Sequence, residues 1–129
     1  MKNDVVVLIP HYNDFEGLLK SVKSISREES VDLLIVDDGS SKNKIKEDEI
    51  RFNFKANGEV IFLYLIENKG ITFALNFGLE YIKEKGYNYI GMLDSGDLCL
   101  GNRFKIQVDY LKINSEIKLI GSNIIVNDM

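Results

Sequence analysis

One stretch decides how this chain folds: Val31-Asp32-Leu33-Leu34-Ile35-Val36-Asp37-Asp38-Gly39-Ser40-Ser41. Its first six residues are apolar except for Asp32, and such a continuous run predicts a strand that is covered on both faces. The five residues that follow are turn formers, so the strand ends there. Asp37 and Asp38 therefore stand at the carboxyl end of a buried strand, where parallel sheets bind their ligands.

The same alternation of strands and helices extends outward from this stretch. Upstream, Val5 to Ile9 is a second apolar run, closed by Pro10, and a helix capped by Asn13-Asp14 runs to Arg27. Downstream, strands are predicted at 60–66, 87–93 and 117–126, and helices at 42–57 with a ragged end, at 71–86 and from 104 onward. The order βαβαβαβαβ predicts an α/β fold with three αβα layers and a mostly parallel, doubly wound sheet.

The composition restricts the class of protein. A chain of 129 residues suits a single domain over 1–129, and a net charge of −4 offers no basic field for a nucleic-acid backbone. The one cysteine, Cys99, excludes an intramolecular disulfide and a cysteine-based zinc cluster, and it fits a reducing compartment, so the cytoplasm is the expected location. No Gly-x-Gly-x-x-Gly follows the first strand and no phosphate-loop motif occurs, which excludes dinucleotide oxidoreductases and P-loop proteins.

Four polar segments fall at the predicted carboxyl ends of strands: 10–14, 37–41, 68–70 and 94–97. Asp37 and Asp38 can accept from a ribose hydroxyl or a base N–H, and they can equally cap a helix or close an Asx turn. Asp94 and Asp97 can hold a hard divalent cation that binds a diphosphate, and a turn with an N-cap is the alternative. Because the four segments share one sheet edge, we expect their side chains to converge.

The segment from Gly70 to Gly78 contains an asparagine inside a predicted helix. We favour close packing at Ala74 and Gly78, with Asn76 bonding a neighbouring loop backbone. Asn68 and Lys69, just before the helix, are better candidates for ligand contact.

The remaining candidates have mainly structural interpretations. His11, the only histidine, is interpreted as a partly exposed loop residue, and Tyr12 either stacks on a base or packs over the first helix. Arg103 and Gln107 are interpreted as a brace under the Asp94 loop, and Cys99 as a packed thiol.

In this order, the motifs resemble those of the nucleotide-sugar-binding half of the family 2 glycosyltransferases, which have the GT-A fold with a Rossmann-like half. The resemblance runs from Val5 to about Asn123. It rests on five segments, which are Leu8-Ile9-Pro10-His11-Tyr12-Asn13, Leu34-Ile35-Val36-Asp37-Asp38-Gly39-Ser40-Ser41, Asn68-Lys69-Gly70, Ala74-Leu75-Asn76-Phe77-Gly78 and Arg103-Phe104-Lys105-Ile106-Gln107.

The resemblance implies a nucleoside-diphosphate sugar, with a UDP-sugar favoured, whose uracil edge contacts Asp38. It implies inverting transfer, by a hexosyltransferase type of enzyme, to a cell-surface polysaccharide or glycolipid. The diphosphate would be held by Mg²⁺ or Mn²⁺. The implied donor-binding residues are Pro10, Tyr12, Asn13, Asp37, Asp38, Gly39, Asn68, Lys69, Gly70, Asn76, Asp94 and Ser95, and the implied metal ligands are Asp94 and Asp97.

The sequence departs from the family pattern in three places. Gly96 stands where the family has its usual metal-binding Asp, and Leu75 replaces a frequent Arg. The acceptor-binding region and catalytic base are expected beyond Met129. The chain is therefore expected to be a donor-binding half, inactive alone, from a longer enzyme or a truncated gene product, with the full-length parent at the inner face of the membrane. Self-association through an exposed sheet edge is a further expectation.

Two other functions remain open from the sequence. One is a non-catalytic nucleotide-binding or assembly module. The other is a receiver-like phospho-acceptor domain, which Asp37, Asp38 and Asp94 suggest, although receivers place their acidic pair after strand one and not after strand two.

Overall fold

The computed structural model describes residues 2–122. Strands and helices alternate along them as β1 (Val5–His11), α1 (Phe15–Ser24), β2 (Asp32–Asp37), α2 (Glu47–Asn53), β3 (Val60–Tyr64), α3 (Ile71–Lys85), β4 (Tyr89–Met92) and α4 (Arg103–Ile113). The strands form one sheet in the order β3-β2-β1-β4, and every neighbouring pair is parallel. The predicted α/β class is confirmed. Among the described residues, no helix is long and apolar enough to cross a bilayer.

Helices cover both faces of the sheet, which makes the three predicted layers. Helices α1, α2 and α4 pack on the face that carries Val7, Ile9, Leu33 and Ile35. Helix α3 packs on the opposite face, which carries Val6, Leu8, Leu34 and Val36. Every residue of β1 and β2 is buried, and for this reason both strands are almost continuously apolar in sequence.

Helix α3 lies close to the sheet because small residues face it. Ala74 is fully buried, and a Cβ on Gly78 would lie 2.7 Å from Leu8 Cδ1. The predicted close packing at these two residues is confirmed. Gly86 ends the helix in the left-handed conformation with φ of 75°, and its N–H donates to the Ile82 carbonyl, as the sequence predicts for a C-terminal glycine.

Several predicted boundaries are wrong. The helix over 42–57 reduces to Glu47–Asn53, because Ile50 alone is buried in it and Lys46 makes no side-chain cap. Helix α1 ends at Ser24 and not at Arg27, since Ile25 is already extended. The predicted fifth strand, 117–126, is absent from 117–122, and its remainder lies outside the described residues.

Helix α4 begins against a carboxylate that comes from a distant part of the chain. Its N-cap residue, Asn102, makes no side-chain cap. Glu29, which is almost fully buried, accepts from the N–H groups of Phe104 at 2.8 Å and Lys105 at 3.0 Å. A carboxylate at a helix N-terminus accepts from the free N–H groups, and its negative charge interacts favourably with the positive end of the helix dipole. Glu29 therefore supplies the missing cap.

Candidate functional site

Four loops follow the carboxyl ends of the strands and lie side by side at one edge of the sheet. In the spatial order β3-β2-β1-β4, they are residues 65–70, 38–46, 12–14 and 93–102. They contain the four polar segments that the sequence predicts to converge, except for Pro10, His11 and Asp37, which end the strands β1 and β2. The loops after β1, β2 and β3 are joined by hydrogen bonds, which are made mainly by Asn13 and Asp38. The loop after β4 is held by α1.

Asp37 connects the loop after β2 to the end of β1. Its Oδ1 lies 2.7 Å from His11 Nδ1 and accepts from Ser40 Oγ at 2.6 Å, and its Oδ2 accepts from the Ser40 N–H at 2.9 Å. Asp37 is 5% exposed. Its carboxylate therefore makes its hydrogen bonds within the protein, as in an Asx turn, and does not face solvent.

Asp38 connects the same loop to the segment after β3 on the other side. Its Oδ1 accepts from the Lys69 N–H at 2.8 Å, and its Oδ2 accepts from the Gly70 N–H at 2.9 Å and from Asn68 Nδ2 at 2.8 Å. A carboxylate has about four acceptor positions. Three are used here, so one position on Oδ1 has no partner within the described residues, and Asp38 as a whole is 4% exposed.

Gly39 permits this connection, since no side chain fits at its position. A Cβ there would lie 2.3 Å from the carbonyl carbon of Glu67 and 2.4 Å from the nitrogen of Asn68. Its φ of 66° is also in the left-handed region. The glycine lets the backbone after β3 pass against the turn after β2, and so brings residues 68–70 to Asp38.

The loop after β1 presents an aromatic ring to solvent. Tyr12 is 46% exposed, which leaves its ring free to stack on a ligand, whereas Pro10 is buried within β1. Asn13 has φ of 51°, its N–H donates to Ser40 Oγ at 2.8 Å, and its Oδ1 accepts from the Ser41 N–H at 2.9 Å. The tyrosine is thus carried on a loop that is hydrogen-bonded on both sides.

His11 differs from its interpretation as a partly exposed loop residue. It is the last residue of β1 and is 2% exposed. The strand continues through Pro10 because Pro10 pairs with Val36 while His11 pairs with Asp37. The apolar run in the sequence ends at Pro10, so it gave no sign that the strand includes a buried imidazole.

The acidic turn after β4 places two carboxylates in solvent. Asp94 and Asp97 are exposed, and Gly96 between them has φ of 98°. Ser95 Oγ is buried and has no hydrogen-bond partner within the described part of the chain. Two exposed carboxylates and a hydroxyl suit a hard divalent cation. No group of three or more His, Cys, Asp or Glu residues occurs within residues 2–122, so further ligands would come from substrate or water.

Ser21 of α1 holds this acidic turn, a role that the sequence pattern did not predict. Its Oγ lies 2.7 Å from the carbonyl oxygen of Asp97 and 3.2 Å from that of Asp94, and it accepts from the Gly96 N–H at 2.8 Å. The sequence offers one signal for this role, which is a serine between Leu18 and Val22 on the apolar stripe of a helix.

Replacement of Ser21 by alanine is expected to loosen the acidic turn without unfolding the protein. The loss of these hydrogen bonds costs about 1–2 kcal/mol of unfolding free energy. Urea denaturation measures this cost, and Ser26→Ala is the control because, within the described residues, the Ser26 hydroxyl is hydrogen-bonded only to the Glu28 N–H of its own turn. Equal unfolding free energies for the Ser21→Ala and Ser26→Ala variants would show that Ser21 does not hold the turn.

The side chains of two sequence-derived candidates take no part in these connections. Asn76 is exposed and makes no hydrogen bond within residues 2–122, so the predicted bond to a loop backbone is wrong. Ala74 and Gly78 face the sheet, and a residue two positions from each on a helix faces the opposite side. Lys69 has its Nζ 3.2 Å from a Glu67 carboxylate oxygen, and its backbone N–H is the group that reaches Asp38.

The structure confirms the packed thiol of Cys99 and one residue of the predicted brace, Arg103. Arg103 donates to the Met92 carbonyl at 2.9 Å, at the end of β4. Cys99 is buried, and burial raises the pKa of its thiol, so the cysteine has no activated thiolate. Gln107 makes no hydrogen bond within the described residues, so the brace consists of Arg103 alone.

A parallel sheet with polar loops at its carboxyl edge defines a ligand-binding α/β domain of the Rossmann-like class. The sequence matches the family model described as "Glycosyl transferase family 2" over residues 6–129, and the chain belongs to this family.

Individual relatives agree with this assignment. The chain is 30% identical over 113 residues to "Bifunctional glycosyltransferase pgtA" of Dictyostelium discoideum, covering 86% of this chain and 15% of the relative. It is 32% identical over 93 residues to "Poly-beta-1,6-N-acetyl-D-glucosamine synthase" of Staphylococcus aureus strain COL, covering 70% of this chain and 21% of the relative.

The fold is also similar to a solved structure, "Mannosyltransferase PcManGT from Pyrobaculum calidifontis in complex with GDP-Man and Mn2+". The TM-score is 0.65 at 16% sequence identity, with 86% of this chain and 33% of that chain covered. This likeness confirms the GT-A fold. The chain thus spans about a fifth or less of the length of the relatives named above and a third of the solved structure.

Proposed function

We propose that this chain forms the donor site of an inverting glycosyltransferase that uses a nucleoside-diphosphate sugar. The observation that carries the proposal is the row of loops at one sheet edge, which presents the exposed Tyr12 ring and the exposed Asp94 and Asp97 carboxylates. An aromatic face and a pair of carboxylates suit the two ends of such a donor, since a base stacks and a cation-bound diphosphate needs oxygen ligands.

The nucleoside is assigned to the loops after β1, β2 and β3. The Tyr12 ring stacks on the base, and the free acceptor position of Asp38 Oδ1 receives the N3–H of a uracil. This acceptor favours a UDP-sugar. The structural neighbour, the mannosyltransferase, is in complex with GDP-Man, so the guanine donor is the direct competitor in the test.

The diphosphate is assigned to the acidic turn. Asp94 and Asp97 are the residues that would hold Mg²⁺ or Mn²⁺, and the same structural neighbour is in complex with Mn²⁺. The cation would neutralise the charge of the departing diphosphate. Because Gly96 supplies no carboxylate, these two side chains are the ligands that the turn offers.

The reaction of the whole enzyme is proposed as a single displacement. The acceptor hydroxyl attacks the anomeric carbon from the face opposite the diphosphate, the bond to the diphosphate breaks, and a carboxylate base takes the hydroxyl proton. No residue of 2–122 is assigned as this base. The polysaccharide synthase among the relatives supports a cell-surface polysaccharide or glycolipid as the acceptor.

The donor site is tested by calorimetric titration with UDP-glucose and GDP-mannose, with and without Mn²⁺. We expect saturable binding of the uridine donor and about tenfold tighter binding with Mn²⁺, or about 1.4 kcal/mol. The double variant Asp94→Ala with Asp97→Ala is expected to lose the metal effect. Glu84→Ala, which removes one exposed carboxylate of α3, is the matched control.

Two outcomes would contradict the proposal. A metal effect that persists in the double variant would place the cation elsewhere. If neither donor binds to a protein whose thermal transition shows that it is folded, the proposed donor site is wrong. The function as an assembly module is then favoured.

A further inference from the structure

Both ring nitrogens of His11 are hydrogen-bonded, and together they define one protonation state. Nε2 lies 3.0 Å from the backbone nitrogen of Asp14, which can only donate, so Nε2 carries the lone pair. Nδ1 lies 2.7 Å from Asp37 Oδ1, a carboxylate oxygen, and therefore carries the proton. The imidazole is neutral, in the Nδ1–H tautomer, and its side chain is fully buried.

The imidazole stands directly under the loop that carries Tyr12. Of the two backbone N–H groups that follow Tyr12, that of Asn13 donates to Ser40 Oγ and that of Asp14 donates to His11. Ser40 in turn donates to Asp37, the carboxylate that also receives the imidazole. The position of the tyrosine thus depends on one connected set of hydrogen bonds centred on His11.

We infer that His11 is a positioning residue, which holds the Tyr12 loop in its ligand-binding conformation only while its imidazole is neutral. A proton added at Nε2 would place one N–H against another, so the Asp14 N–H must turn away and move the loop. This inference rests on the proposed donor site, because it states that the protonation of His11 controls how tightly the donor binds. Nothing in the sequence pattern around Pro10 indicated such a role.

The groups that face the imidazole come from three segments. Asp37 of β2 receives Nδ1–H, and the neighbouring Asp38 donates its backbone N–H to the His11 carbonyl while its carboxylate binds residues 68–70. Asp14 offers its N–H, and its own carboxylate accepts from the Gly17 N–H at the start of α1. Ser40 Oγ lies 3.5 Å from Nδ1. No Lys or Arg side chain is hydrogen-bonded to the imidazole within the described residues.

The inference predicts a dependence of donor affinity on pH. Because binding requires the neutral ring, a proton gained at Nε2 weakens donor binding, and donor affinity is expected to fall as the pH is lowered. UDP-glucose is the probe, since its diphosphate carries no proton that titrates near neutral pH. We expect its dissociation constant to be larger at about pH 5.5 than at about pH 7.5.

Two variants separate the two hydrogen bonds of the ring. His11→Gln keeps an acceptor near the place of Nε2, and His11→Asn keeps a donor near the place of Nδ1; neither titrates in this range. We expect a flat pH profile for both variants, with tighter binding by the glutamine variant. If the glutamine variant shows the pH dependence of the unmodified protein, or if the asparagine variant binds more tightly, the inference is wrong.

A nitrogen NMR titration tests the inference without any donor, since His11 is the only histidine in the chain. We expect the Nδ1–H tautomer at about pH 7.5, and we expect the amide signals of Asn13 and Asp14 to shift with the imidazole titration. An Nε2–H tautomer, or stationary amides, would overturn the inference. Failure of the proposed function is distinct, since it would leave these signals as expected while no donor binds at any pH.

Discussion

In a titration with UDP-glucose, the Asp38→Ala variant is expected to bind at least about a hundredfold more weakly than the unmodified protein, equal to about 2.7 kcal/mol. The variant removes the free acceptor on Oδ1 that we assign to the base. It also removes the acceptor of the Lys69 and Gly70 N–H groups, so the segment after β3 loses its anchor.

The same change is expected to lower the unfolding free energy by about 2–3 kcal/mol, because three hydrogen bonds to a charged, nearly buried carboxylate are lost. Asn68→Ala is the milder companion, since it removes one of the three hydrogen bonds and keeps the carboxylate. It is expected to fold and to bind within about tenfold of the unmodified protein. Glu84→Ala again serves as the charge control. Unchanged affinity in the Asp38→Ala variant would show that the base binds elsewhere.

Replacement of Gly39 by alanine is expected to cost about 3 kcal/mol or more of unfolding free energy, measured by urea denaturation. The added Cβ would meet backbone atoms of Glu67 and Asn68 at less than 2.5 Å, and a backbone cannot rotate away as a side chain does. The left-handed φ adds about 1 kcal/mol of strain. The displaced segment would leave Asp38, so donor binding is expected to be lost as well.

Gly101→Ala is the matched control for Gly39→Ala. Gly101 has a similar φ of 56°, but a Cβ there would meet nothing within 4 Å. Its replacement therefore carries the conformational strain without the clash, and we expect a loss of about 1 kcal/mol. Equal losses in the two variants would mean that the close approach of the two loops does not matter for stability.

The local pattern of the sequence was sufficient to predict the architecture. The buried runs before Pro10 and Asp37 predict covered parallel strands, and Gly86 predicts the end of α3, because burial on both faces and left-handed caps each select a few residue types. The boundaries failed where only one or two side chains reach the core. Ile50 in α2 is the example, since a short helix held by one buried residue leaves no periodic signal.

The sequence predicted where the candidate site lies. It predicted less completely the hydrogen bonds that join the loops of the site. The sequence placed Asp37, Asp38 and Asp94 at one sheet edge, as parallel strands require. It left open whether the first two face a ligand or the protein. The structure shows that the Asp37 carboxylate binds His11 at the end of β1 and the Asp38 carboxylate binds the segment after β3, because adjacent residues at the end of a strand point to opposite sides.

The sequence by itself thus determined the fold class, the order of elements from β1 to α4 and the edge where the polar loops meet, because these follow from hydrophobic periodicity and turn-forming residues. Only the tertiary structure decided that Ser21 holds the acidic turn, that Glu29 caps α4 and that His11 is a buried imidazole bonded to Asp37 and Asp14. Each of these contacts forms because separate helices, strands and loops pack against one another. A buried polar group takes whichever partner the fold brings within hydrogen-bond distance, and that distance is set by packing and not by spacing along the chain.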